Sequence, residues 1–211
     1  MVSCLVALIS STVRAQSTPI ADRSPSALLQ LGESAKALFD AAYASDWRSA
    51  ADRMQSVTDA ASALPLDLPK ADIVGHLKTA VQYAGDGTTA RDRIETMEEA
   101  NLITRLAADL SALFQPPVPY EATMLGYYGR QLELGLVASR PSLLAQSADA
   151  LQSTWSRLEP TLERGGHIDV AKRFTDIVVQ LVGAQRPAQY VAPTRAELTE
   201  TDRINQLLMQ R

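Results

Sequence analysis

Apolar residues recur every three or four positions along most of the chain, a period that only the α-helix satisfies. Leu28, Leu31, Ala35, Leu38 and Ala42 form one such stripe; Trp47, Ala50, Met54, Val57, Ala61 and Leu64 form a second. No stretch alternates long enough to predict a strand. Helix breakers set the boundaries. Ser24-Pro25 supplies an N-cap and a first-position proline. Prolines 65 and 69 make PLDLPK a connector. Gly85-Asp86-Gly87 is expected to stop a third helix that begins near Ala71, with a fourth starting at Thr88 or Thr89. The run QPPVP joins the fourth helix to a fifth over residues 120–136, and Gly165-Gly166 ends the sixth.

The expected fold is an all-α, antiparallel bundle of about seven helices, with helices four and five a close-packed central hairpin. Residues 24–185 would form the bundle. Residues 186–211 would be a proline-containing tail with a short amphipathic helix, free to dock on a protein partner. An echo at an offset of 120 residues aligns Leu31, Leu38, Ala51 and Arg53 with Leu151, Leu158, Ala171 and Arg173, which would make two similar hairpins flank the central pair.

The first residues bear on compartment. Val2 to Ile9 is a short apolar run, followed by small and polar residues up to Val13-Arg14-Ala15. That pattern fits a secretory signal peptide over 1–15, cleaved near Ala15, with 16–23 as a linker, and hence a periplasmic or secreted protein. The run is too short to span a bilayer. Cys4, the single cysteine, would leave with the signal, so the exported chain must be held by core packing without disulfides. A net charge of −4 with no basic block argues against nucleic acid as a partner.

The fifth helix, YEATMLGYYGRQLELGL, carries three glycines that each cost about 1 kcal/mol relative to alanine. On a helical wheel Ala122, Gly126, Gly129 and Glu133 share a narrow arc. Asn101, Arg105, Ala108 and Ala112 share an equivalent arc on helix four. An antiparallel pairing would set Ala108 against Gly126, Arg105 against Gly129 and Asn101 against Glu133, with Arg130 nearby. The candidate ligand-binding residues are therefore Asn101, Arg105, Tyr127, Arg130 and Glu133, as a polar group that either forms an ion-pair network or receives an anionic or polar ligand.

Catalytic signatures are missing. The sequence contains no HExxH, GxSxG, CxxCH or di-iron spacing. No cofactor is predicted. The reading is a non-catalytic binding or interaction protein. Two alternatives carry named residues: a non-covalent metal or haem binder using His76 with Met97 or Met124, and an enzyme using Glu133 as base with Arg105 and Arg130 on an anionic substrate.

Overall fold

The computed structural model describes residues 25–65 and 67–210; the expected signal peptide and linker lie outside them. Among the described residues the chain is helical throughout, with no strand. The described residues form eight helices: α1 Ser26–Tyr43, α2 Trp47–Ser62, α3 Ala71–Ala90, α4 Arg93–Ser111, α5 Tyr120–Val137, α6 Pro141–Arg164, α7 Ile168–Val182 and α8 Pro187–Met209. None is long and apolar enough to cross a membrane.

The count exceeds the expected seven because residues 187–209 form a complete helix. α8 buries Tyr190, Thr194, Glu197, Thr201, Ile204 and Leu208, at alternating spacings of four and three. It is an integral wall of the bundle, in place of a tail with a short helix.

Gly85-Asp86-Gly87 also differs from expectation, since α3 runs through it to Ala90. The turn comes later, at Arg91, which adopts a left-handed φ of 55°. Asp92 then caps α4, its Oδ1 accepting from the Glu95 backbone N–H at 3.0 Å. A Cβ on Gly87 would lie 3.1 Å from Thr96 Oγ1 and 3.2 Å from Glu95 Cγ. The glycine therefore admits the start of α4 against the end of α3.

Two cores form. α1 to α4 pack around Leu31, Leu38, Phe39, Leu77, Met97 and Ile103. α5 to α8 pack around Leu132, Leu151, Trp155, Phe174, Leu181 and Ile204. Each fully buried Leu, Phe or Met contributes about 1.5–3 kcal/mol, so either core is substantial by itself. Within each half every helix touches its neighbours in chain order, and the last closes on the first: α1 with α4, α5 with α8. Each half is thus a four-helix ring, and α4 meets α5 at the seam.

The halves are copies of one plan. The starts of α1, α2 and α4 lie 94 residues before those of α5, α6 and α8, while α3 and α7 are offset by 97. Ser45 and Ser139, 94 apart, both take left-handed φ values, 57° and 53°. The following residues close matching turns: Asp46 N–H donates to Ala41 O at 2.9 Å, and Arg140 N–H to Gly135 O at 2.8 Å. The sequences over these segments correspond, LGESAKALFDAAYAS at 31–45 and LGYYGRQLELGLVAS at 125–139, with five of fifteen positions identical. The repeat thus has an offset of 94, and it relates α1–α4 to α5–α8. The echo at 120 matched helices that occupy different places in the two rings.

Candidate functional site

The seam between the halves brings together the polar residues expected to form a site, but divides them into two groups. The first lies on α4 and α5. Asn101 is fully buried, and its Nδ2 donates to Tyr127 O at 3.1 Å. Tyr127 is also buried, and its hydroxyl accepts from Gln131 Nε2 at 2.9 Å. Tyr120 OH donates to Asp109 Oδ1 at 2.7 Å, so α4 and α5 run antiparallel where they touch. Burial, together with that carboxylate, pushes the Tyr120 phenol well above its ordinary pKa. Arg105 sits here too, exposed, with its Nε 3.6 Å from Asp109 Oδ2.

The second group joins α1, α5 and α8. Arg130 Nη2 lies 3.4 Å from both carboxylate oxygens of Asp40, and its guanidinium rests over the Phe39 ring, 5.8 Å from the centroid. Glu197 on α8 is fully buried; its Oε1 accepts from Thr201 Oγ1 at 2.8 Å, and its Oε2 is buried without a partner. Burial pushes Glu197 up to about 8 against the opposing hydrogen bond from Thr201 and the charge of Arg130. Glu133 is raised to about 7, again by burial, with Arg130 and Arg195 opposing and Asp40 reinforcing. Arg130 and Glu133 therefore share an environment, and Arg105 is not part of it. The charge contact the structure gives Arg105 is with Asp109, one turn along α4.

The glycines of α5 receive α8, which corrects the expected pairing with α4. A Cβ on Gly129 would overlap Glu197 Oε2 outright and come within 2.7 Å of Leu198 Cδ2. A Cβ on Gly126 would meet Thr201 Cγ2 at 3.6 Å. Gly135 belongs to a different contact: its Cβ would lie 2.8 Å from Leu144 Cδ2, so it admits α6. Gly129 and Gly135 thus let α8 and α6 approach α5 more closely than side chains would allow, whereas a Cβ on Gly126 would meet only ordinary contacts.

Sequence reasoning missed Glu197, Thr201, Arg195 and Asp40. The first two occupy the heptad stripe of α8, a spacing that was available in the sequence but is filled by threonine and glutamate instead of leucine.

A cleft of about 400 Å³ has Tyr120 of the first group in its lining. Its lining comes from the first half of α1, the last half of α4, the connector 116–118, the start of α5 and the end of α8. It spans the seam. Leu29, Gly32, Ala107, Ala108, Ala112 and Val118 make much of its surface apolar. Lys36 and Asp202 line it, and Asp40 and Leu198 sit one turn further along the same helices. Asp40 therefore lies about 6 Å beyond Lys36 along the axis of α1. The volume of the cleft falls within the range of small-molecule sites.

His76 is an exposed residue of α3, whereas Met97 and Met124 are buried. Among the described residues there is no group of three or more His, Cys, Asp or Glu side chains placed to hold a metal ion. A smaller cavity of about 270 Å³ between α6, α7 and the start of α8 includes Asp149, Arg186 and Tyr190. No known family, curated protein or solved structure matches the chain.

Proposed function

We propose that the chain is an exported, non-catalytic helical binding protein whose ligand occupies the cleft between its two four-helix halves. The observation that carries this reading is the cleft itself: about 400 Å³ of largely apolar surface with a few polar side chains, at a seam between two independently cored units. Sites of that size and composition recur at junctions of this kind, because neither unit can fill a hollow that both of them line. Export is supported by the apolar run and small-residue cleavage pattern of residues 1–15.

The test is expression in an exporting host, with N-terminal sequencing and native mass spectrometry of the secreted or periplasmic fraction. A chain beginning at Gln16 and carrying extra mass that disappears on denaturation is the expected result. A chain retained in the cytoplasm with residues 1–15 intact would overturn export. Failure of any apolar small molecule to bind, with Gly32→Trp indistinguishable from wild type in every titration, would overturn the cleft as a binding site.

A further inference from the structure

The repeat gives each wall of the cleft a counterpart in the other. A shift of 94 residues carries Leu29 onto Thr123, Ala108 onto Asp202, Ser111 onto Asn205 and Ala112 onto Gln206, and all of these line the cleft. The two halves therefore contribute equivalent positions to a single cavity, as two subunits of a symmetric dimer would. The chemistry at those positions is not equivalent. The first half presents leucine, alanine, serine and alanine; the second presents threonine, aspartate, asparagine and glutamine.

The polar groups also differ in how far they are already satisfied. On the first half, Lys36 Nζ donates to Glu33 Oε1 at 2.6 Å and Thr104 Oγ1 donates to Ala100 O at 3.1 Å. On α8, Asp202, Asn205 and Gln206 lie at i, i+3 and i+4, and so share one face. Their side chains make no hydrogen bond among the described residues, and Asn205 Oδ1 is buried without a donor. A buried acceptor in that state is unfavourable until something supplies a proton donor. The Asp202 carboxylate one turn away supplies further acceptor oxygens.

We propose that the cleft takes a molecule with one apolar face and one edge of hydroxyl or amine donors, neutral or cationic, and discriminates against an anion of the same shape. This rests on the binding reading given above. The apolar face lies on Leu29, Ala107, Ala108 and Ala112. The donors meet Asp202, Asn205 and Gln206. The single cation in the lining, Lys36, is already engaged by Glu33, so an incoming carboxylate would meet the charge of Asp202 with no free counter-charge.

Three probes of one skeleton test this: naphthylmethylamine, naphthylmethanol and naphthoate, each titrated calorimetrically into the chain. Asp202→Asn and Asn205→Leu serve as variants; Asp202 is exposed and Asn205 half-buried, so neither change should disturb the core, and circular dichroism checks the fold. The amine and the alcohol are expected to bind at least about tenfold more tightly than the carboxylate. Asp202→Asn should reduce the advantage of the amine, and Asn205→Leu should weaken the alcohol. Naphthoate binding as well as the other two would overturn the donor-edge assignment while leaving the cleft a binding site. Binding of none of the three would overturn both readings.

Discussion

Glu197→Gln separates the buried acid from every other feature of α8. The Glu197 carboxyl is raised from 4.5 to about 8, so the folded chain holds a proton over a window in which the unfolded chain has released it. The native state then binds more protons, and the sign follows. The contribution to stability is complete below about pH 4.5, declines as pH rises through about 8, and levels off above that. A difference of about 3.5 units between folded and free values corresponds to roughly 5 kcal/mol across the window. Glu133, raised to about 7, contributes with the same sign over a narrower span. Glutamine keeps an acceptor for Thr201 Oγ1 and has no proton to lose. Urea denaturation from pH 5 to pH 9 should show wild type losing several kcal/mol and Glu197→Gln distinctly less, with the variant the more stable protein at pH 9. A wild-type profile flat over that range, or a variant with an unchanged slope, would refute the reasoning.

Replacing Gly129 by alanine should destabilise the fold by about 1–3 kcal/mol, because the methyl group overlaps Glu197 Oε2 and crowds Leu198; differential scanning calorimetry measures it. Gly32→Ala is the contrasting case: its Cβ would sit 3.9 Å from Ala107 Cβ, an ordinary contact, so the gain in helix propensity should raise stability by up to about 1 kcal/mol. Asn101→Ala should cost about 1–3 kcal/mol by removing a buried donor from Tyr127 O at the seam, measured by chemical denaturation. Arg130→Met removes the cation that opposes protonation of Glu133 and Glu197, so the pH at which stability declines should move upward in the same urea series.

The helical class was legible because it depends on a period that survives noise, as in the α1 stripe from Leu28 to Ala42. α8 was less legible for a specific reason. Its buried face is Tyr190, Thr194, Glu197, Thr201, Ile204 and Leu208, and half of these residues do not register as core. Gly87 misled in the opposite direction, since a helix tolerates the propensity cost of glycine where a neighbour must come close, here the start of α4, and the sequence does not show the neighbour. The same limit applies to α5. The wheel put Gly126, Gly129 and Glu133 on one arc, and the structure keeps them near a helix; which helix it is depends on tertiary closure of the second ring. The expected α4–α5 pairing set Asn101 against Glu133, but Asn101 bonds Tyr127 instead, six residues earlier on α5, so the register of the two helices is displaced.

The connector from Ala112 to Pro119 has a kinetic and thermodynamic consequence. Were the two rings separate chains, the cavity between them would exist only above their dissociation constant, and would vanish on dilution into a large compartment. Joined by a short proline-rich segment, the rings instead experience one another at a fixed local concentration, on the order of millimolar for such tethers, however dilute the protein becomes. The cleft then exists at any protein concentration.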